Sequence, residues 1–388
     1  MSLIKFIKNN IDTIIQKLEK VLNENKDDFT IVYKPNEFLD FSFKGSGTYG
    51  NVLQVTNRTK NKKEVPIGKH MTLKIMKRRS DEPYKIKELG NIINSTKNQY
   101  IINKYIIRVY NVDLKEDLIF LEYLEGNTID GYLKENNLNE YQLSIYMIKA
   151  LLCIKVFHNL LKYSHRDIKD KNMIYNPENG IMKCIDYGFV CKLRDKKCRN
   201  RYQGTGKYIH PEMNKKYVTK KLNNYDFDST LSMPDSIAQD LFSTIITILK
   251  LYYIYKKKKI SDSTESSSES NELFDLIIDY EKAQSQKYDY SNRRDVRYKS
   301  KSKLFNKIVL LDENNIDVIV VRELVKIIKL HWDFKLNNFS INGKKTILIT
   351  NFIFDTLISN IFHQIPDSKE KKDLYFDWSI IYSYNLNI

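Results

Sequence analysis

Apolar positions open the chain at helical intervals. Ile4, Ile7, Ile11, Ile14, Leu18 and Leu22 follow one another at three- and four-residue steps, with Lys5, Lys8, Lys17 and Lys20 mostly on the other face. This spacing predicts an amphipathic helix over 3–22, either docked on the domain that follows or lying in a membrane interface; docking is the simpler reading. From Phe38 to Tyr123 the pattern shortens to β-type runs, at Phe41–Lys44, Asn51–Thr56, Met71–Met76, Ile106–Asp113 and Leu118–Tyr123, with a basic loop over Asn57–His70. One helix interrupts them, opening at Asp81-Glu82-Pro83 and running to about Asn94. After Gly126 the periodicity turns helical, with long apolar stretches at Tyr141–Leu161, Ile237–Tyr255 and Leu304–Trp332. A small β-rich half followed by a larger helical half is the expected α+β architecture.

The predicted boundaries are a helical extension over 1–34, a β-rich domain over 35–124 and a helical domain over 125–388. Lys256-Lys257-Lys258-Lys259 and the Ser/Glu-rich run Ser261–Ser270 are too polar to offset their ordering entropy, so 256–302 reads as a disordered insert. The run Ile237–Tyr255 contains Asp240 and Lys250 and reads as a buried helix, with no transmembrane segment expected.

Composition narrows this picture only a little. The 388 residues are 42% hydrophobic and 29% charged, which suits a globular protein and excludes collagen-like, coiled-coil or mostly disordered chains. A net charge of +16 favours anionic partners, though Lys-rich codon usage inflates it, and no specific nucleic-acid partner is expected. Ala stands only at Ala150, Ala238 and Ala283, amid many Asn, Ile, Lys and Tyr. That usage resembles proteins of very A+T-rich genomes, giant viruses among them. Four cysteines make no disulfide scaffold, and Cys184, Cys191 and Cys198 lack zinc-ligand spacing; Cys184 is expected to pack, and Cys191 and Cys198 to be exposed. The opening Met1-Ser2-Leu3-Ile4-Lys5 lacks a secretory apolar stretch. An intracellular, cytoplasmic protein is expected, in host cytoplasm or virion if viral.

The chemistry-bearing residues come in a definite order. Gly45-Ser46-Gly47-Thr48-Tyr49-Gly50-Asn51-Val52 lies between two predicted strands, where glycines allow a tight hairpin and close approach of backbone N–H groups to phosphate. The strand after the glycines excludes a dinucleotide-binding turn, which needs a helix there. Met71-Thr72-Leu73-Lys74 follows on the third strand. Far downstream stand His165-Arg166-Asp167-Ile168-Lys169-Asp170-Lys171-Asn172, then Asp186-Tyr187-Gly188, then Gly204-Thr205-Gly206-Lys207-Tyr208-Ile209-His210-Pro211-Glu212.

In identity, order and spacing these motifs resemble the eukaryotic-type serine/threonine protein kinases over about Phe38–Tyr255. The resemblance implies a two-lobed fold with a small β-rich lobe and a larger mainly α-helical one, ATP as co-substrate, and Mg²⁺, or Mn²⁺ in its place. It implies Asp167 as the residue that receives or orients the acceptor hydroxyl, Lys169 on the γ-phosphate, and Asn172 and Asp186 as metal-holding oxygens. Lys74 would face the α- and β-phosphates and need a carboxylate; Glu88 is expected to supply it, because Glu82 lies close along the chain. Lys44 to Val52 would cover the phosphates, Val52, Thr72 and Leu121 would line the adenine site, and Glu122 to Leu124 would pair with the base. Asp240 resembles the buried aspartate that braces the His-Arg-Asp turn.

Departures are Tyr187 for Phe, His210 for Ala and Thr72 for Ala. Glu212 is expected to pair with Arg297 or Arg322. From Phe189 to Gln203 the chain carries Lys192, Arg194, Lys196, Lys197, Arg199 and Arg201, no Ser or Thr, and one hydroxyl, Tyr202. Activity without phosphorylation of this segment, or dependence on Tyr202, is expected, with acidic or pre-phosphorylated protein substrates; a merely solvated basic loop is the other reading. The rival functions are a pseudokinase scaffold, a small-molecule kinase of the same fold and a nucleic-acid binder. Oligomeric state is not legible.

Overall fold

The computed structural model describes residues 3–24, 26, 28–34, 37–46, 50–59, 70–77, 80–193, 204–209, 236–262, 272–285, 299–301, 303–332 and 343–384. They form two units, Met1–Gln99 with Ile107–Glu125, and Tyr100–Ile106 with Gly126–Ile388.

The first unit is a six-stranded antiparallel sheet. Its strands are β1 (Asp28–Lys34), β2 (Glu37–Ser46), β3 (Gly50–Thr59), β4 (His70–Met76), β5 (Val109–Asp113) and β6 (Leu118–Glu122), in the order β1-β2-β3-β4-β6-β5. Along β4 burial alternates, Met71, Leu73 and Ile75 turning inward while Thr72 and Lys74 face the other way. The inward face is covered by the N-terminal segment, which docks on it through its apolar stripe. It forms two helices rather than one, α1 (Leu3–Asn9) and α2 (Ile11–Asn23). Asn10 breaks them, its Nδ2 donating to the Phe6 carbonyl at 2.8 Å. Leu3, Phe6, Ile7, Ile11, Ile14 and Leu18 share one core with Leu39, Phe41, Leu53, Leu73 and Phe120, and removing this apolar area from water is the main source of the docking energy.

The boundary at 34/35 is therefore corrected. Strand β1 was missed by the pattern reading, yet it pairs with β2, Phe29 opposite Phe41 with rings stacked 4.8 Å apart. Its Phe29, Ile31, Val32 and Tyr33 are β-type residues legible in the sequence, and as an edge strand it buries Ile31 while leaving Val32 exposed. Helix α3 (Glu82–Ser95) begins where the Asp-Glu-Pro signal put it.

The second unit is mainly helical. Helix α4 (Gln99–Tyr105) belongs to it beyond Gln99: Tyr105 Oη donates to Asp377 Oδ2 at 2.5 Å. Then come α5 (Ile129–Glu135) and α6 (Glu140–Lys155), the latter opened by a reciprocal Asn139–Gln142 capping box and prolonged by a π turn over Val156–Leu161. Glu140–Leu161 is long and apolar enough to cross a membrane, but 94% of that window is buried inside the protein, which marks a core helix. Two small hairpin sheets precede the remaining helices: β9 (Met173–Asn176) pairs with β10 (Ile181–Cys184) and with β7 (Asn127–Thr128), and β8 (Tyr163–Ser164) pairs with β11 (Cys191–Lys192). Helices α7 (Ser236–Asp262), α8 (Glu272–Ser285), α9 (Ile319–Trp332), α10 (Gly343–Gln364) and α11 (Lys369–Ser383) follow.

Of the disordered insert expected over about 256–302, residues 263–271, 286–298 and 302 lie outside the described residues, and the described ones are a second correction. Helix α7 continues to Asp262, and α8 buries Leu273, Leu276, Ile277 and Tyr280, a stripe at i, i+3, i+4 and i+7. That stripe was present in the sequence, hidden between the Ser/Glu run and polar residues.

Candidate functional site

In the first unit, strand pairing assembles the expected nucleotide-facing residues. Val52 lies opposite Lys74 across β3 and β4, and Thr72 opposite Leu121 across β4 and β6. Directly paired residues project from the same side, so all four share the sheet face that α1 and α2 leave uncovered. Gly50 opens β3, and a Cβ there would stand 2.7 Å from the Ile75 carbonyl oxygen of β4, so the two strands come this close only with glycine at that position. Lys44, Gly45, Ser46 and Asn51 lie on the strands flanking the turn, and Ser46 Oγ accepts from Lys77 Nζ. Gly47, Thr48 and Tyr49 lie outside the described residues. Glu122, at the end of β6, offers a carbonyl that accepts from Thr72 Oγ1 at 3.3 Å, and Leu121 and Leu124 are half-buried.

Lys74 is paired, but with Glu82 and not Glu88. Its ammonium forms an ion pair and hydrogen bond with Glu82 Oε1, which is 3% exposed. The reason lies in the helix period. Glu82 heads the buried stripe of α3 with Ile86, Leu89 and Ile93, whereas Glu88, six residues on, sits about 120° round the axis and is exposed. The helix starts close to the end of β4, so its first-turn carboxylate is the one that reaches back. The apolar stripe beginning at Glu82 was the available signal.

In the second unit, the segment after β8 carries the catalytic candidates. Asp167 Oδ1 accepts from the Thr205 backbone N–H at 2.8 Å and from Thr205 Oγ1 at 2.7 Å. Its Oδ2 accepts from Lys169 Nζ at 2.6 Å and Asn172 Nδ2 at 3.0 Å. Lys169 Nζ also donates to Thr205 Oγ1 at 2.9 Å, so four side chains form one knot. Burial pushes the Asp167 carboxyl up, but the Lys169 ammonium and the Thr205 hydroxyl outweigh it and hold the group below its ordinary value. The carboxylate is therefore ionised near neutrality.

Asp240, fully buried on α7, supports this segment from below. Its Oδ2 accepts from the His165 N–H at 2.7 Å and His158 Nε2 at 2.9 Å, and its Oδ1 from the Arg166 N–H at 2.6 Å. Two consecutive N–H groups turned to one carboxylate fit the left-handed backbone of Arg166, φ +68°. The expected bracing role of Asp240 thus has its geometry, while His158 as a third donor was not foreseen. Gly204 closes the other side: with φ +112°, a Cβ there would lie 2.6 Å from the Arg166 carbonyl oxygen.

Asp186 is tied to the same segment through its neighbour. The Ile185 N–H donates to the Asn172 carbonyl at 2.9 Å, and the Ile185 carbonyl bonds His165 Nε2 at 3.0 Å. Asp186 itself is exposed, with φ +63°. Because Asn172 turns its amide nitrogen to Asp167, its side-chain oxygen is the end left for a cation. Asn172 and Asp186 offer hard oxygens of the kind Mg²⁺ takes. Among the described residues no three His, Cys, Asp or Glu side chains cluster to cage an ion, so an ion here would complete its shell with phosphate and water. The residues fit a magnesium–nucleotide complex. Tyr187, in place of Phe, is accommodated without strain: its ring packs on Phe157 at 5.6 Å, and its hydroxyl donates to the Cys184 carbonyl at 3.0 Å.

A second buried cluster escaped the sequence reading. Asp170 accepts from Tyr208 Oη and from Lys250 Nζ, which links the loop, the 204–209 turn and α7; a lysine inside an apolar helix was the signal. Cys191 is buried rather than exposed. Arg322 donates to Gln364 Oε1 at 3.1 Å. Residues 194–203 with Tyr202, residues 210–212 with Glu212, Arg297 and Cys198 lie outside the described residues.

The second unit thus holds an oriented aspartate flanked by a lysine, an arrangement suited to direct phosphoryl transfer rather than to a covalent intermediate. The class is that of a phosphotransferase with one sheet-built unit and one mainly helical unit. The model of the protein kinase domain matches residues 41–305, and the chain belongs to that family. It is 29% identical over 183 residues to serine/threonine-protein kinase max-2 of Caenorhabditis elegans, covering 45% of this chain and 27% of that protein. It is 28% identical over 171 residues to serine/threonine-protein kinase SKM1 of Saccharomyces cerevisiae, covering 40% and 25%. It is 27% identical over 209 residues to calcium-dependent protein kinase 5 of Plasmodium falciparum, covering 51% and 33%. The chain therefore spans a quarter to a third of these curated relatives, by the 27%, 25% and 33% covered.

Proposed function

We propose that the chain is an ATP-dependent kinase that phosphorylates Ser and Thr hydroxyls of protein substrates. The observation that carries this reading is the knot at Asp167, in which Lys169 and Thr205 both hold the carboxylate and each other. Lys74, kept in place by Glu82, and the glycine turn bind the triphosphate. Asn172 and Asp186 would hold Mg²⁺ or Mn²⁺ together with the nucleotide, and the ion would supply neutralisation of the phosphate charge.

Asp167 accepts a hydrogen bond from the acceptor hydroxyl and aims its oxygen at the γ-phosphorus. As the new O–P bond forms and the bond to the β-phosphate oxygen breaks, the hydroxyl proton passes to Asp167 and ADP leaves. A carboxylate held below its ordinary pKa is a weak base, so it orients the hydroxyl first and takes the proton late. Lys169 steadies the transferred phosphoryl oxygens.

The test is transfer from radiolabelled ATP to acidic and basic carrier proteins, followed by phosphoamino-acid analysis. Phosphoserine and phosphothreonine are expected. Phosphotyrosine alone, or bound nucleotide with no transfer, would overturn the reading. In the same assay Glu82→Gln is expected to lower kcat/KM for ATP about tenfold by loosening Lys74, while Glu88→Gln stays within about twofold, as for a solvated side chain. The reverse order would restore Glu88 as the partner.

A further inference from the structure

The turn Gly204–Ile209 carries Thr205, which holds both Asp167 and Lys169, and its own backbone is held in an unusual way. Four successive carbonyls each accept from a side chain. Lys301 Nζ donates to Gly206 O at 2.8 Å and to Ile209 O at 2.6 Å. Tyr280 Oη, on α8, donates to Lys207 O at 2.8 Å. Ser243 Oγ and Gln239 Nε2, on α7, donate to Tyr208 O at 2.8 and 3.3 Å.

Lys301 is fully buried, its ammonium 5.8 Å from the Phe242 ring centroid. Burying an ammonium is costly unless its hydrogen bonds are used, and here two of them span the turn from Gly206 to Ile209. The residue beside it, Ser300, accepts from Gln284 Nε2 of α8 at 2.7 Å, which ties residues 299–301 to the helix that carries Tyr280. Both lie in the 256–302 stretch whose composition suggested a disordered spacer.

We infer that Lys301, assisted by Tyr280, is a positioning residue for phosphoryl transfer: it fixes the 204–209 turn so that Thr205 orients Asp167 and Lys169. The inference rests on the kinase reading above and concerns the same catalytic loop. It gives α8 and residues 299–301 a function, as a bracket that sets the geometry of the acceptor side of the site without touching substrate. Tyr280 holds the Lys207 carbonyl, and Ser243 and Gln239 hold that of Tyr208; without Lys301 the carbonyls of Gly206 and Ile209 lose its ammonium, and a displacement of about 1 Å at Thr205 is enough to cost transfer heavily.

The test uses the full chain. Lys301→Met keeps length and apolar bulk but removes both donations. Backbone amide exchange over 204–209 is expected to speed up at least tenfold, with exchange in α6 and α9 unchanged. In transfer assays kcat is expected to fall about tenfold to a hundredfold with KM for ATP unchanged, and Lys301→Arg, which keeps the charge and the donors, to recover part of the loss. Tyr280→Phe, a deletion of one hydroxyl that leaves packing intact, is expected to speed exchange at 207–209 and lower kcat about threefold; it decides the matter should Lys301→Met not fold. Unchanged exchange over 204–209, or a kcat equal to wild type in the folded variants, overturns the inference. A wild type that transfers no phosphate, while Lys301→Met still frees the turn, would instead sink the kinase reading and leave the bracket standing.

Discussion

Asp167→Ala is expected to lower phosphate transfer about a thousandfold, roughly 4 kcal/mol of transition-state stabilisation, while nucleotide binding persists. The size follows from what one side chain does. Asp167 is the acceptor for Thr205 through both backbone and hydroxyl, and for Lys169 and Asn172. Alanine removes the group that aims the acceptor hydroxyl and at once frees Lys169 from its short contact. A single-turnover assay alongside fluorescent nucleotide titration separates transfer from binding, and transfer within tenfold of wild type would refute the assignment. The carboxyl also links stability to pH. Its folded-state pKa is lowered from the ordinary 3.8, so its stabilising contribution is full above that value and drains away as pH falls through the lower one. Neutral-pH stability is thus insensitive to its titration, and any loss specific to Asp167 appears only under strongly acid conditions.

Asp240→Ala is expected to destabilise the second unit by about 3–5 kcal/mol, the range for removing one partner from a buried, charge-assisted network. Asp240 is fully buried and accepts from the His165 and Arg166 N–H groups and from His158 Nε2. Without it these donors are stranded in a site that water does not reach, and the left-handed Arg166 backbone loses what holds it. Urea unfolding followed by far-UV circular dichroism gives the change in midpoint. Activity is expected to vanish with it, because the segment it braces carries Asp167. A shift worth less than about 1 kcal/mol would show that the three donors find other acceptors.

The two variants differ in how far sequence could foresee them. Asp167, Lys169, Asn172 and Asp186 stand in short motifs whose internal geometry is local: a few residues apart, they are fixed by one loop and one hairpin, and their order along the chain carries over to space. Asp240 was visible too, as a carboxylate where an apolar helix has no use for one unless it is hydrogen-bonded. The partner of Lys74 was not. Chain proximity argued against Glu82, but the angle at which α3 leaves β4 and the phase of its apolar stripe put Glu82 inside and Glu88 out. Phase was readable in Glu82, Ile86, Leu89 and Ile93; the angle was not. Strand β1 carried its own signal in Phe29, Ile31 and Tyr33 at the β period of two; what the sequence did not carry is its pairing with β2.

Composition misled most where it averaged over a segment. The Ser/Glu run hid α8, and with it Tyr280 and Lys301, whose donations to the 204–209 turn come from residues 73 to 95 positions away along the chain. What the amino-acid sequence settled by itself is membership of the protein kinase family, because the motifs that mark it are short runs whose order and residue types are read without the fold. What only the tertiary structure decided is which distant side chains hold them still: Glu82 on Lys74, His158 on Asp240, Lys250 on Asp170 and Lys301 on the turn. Hydrogen bonds and ion pairs act over about 3 Å, and which groups come that close across long stretches of chain depends on how whole helices pack.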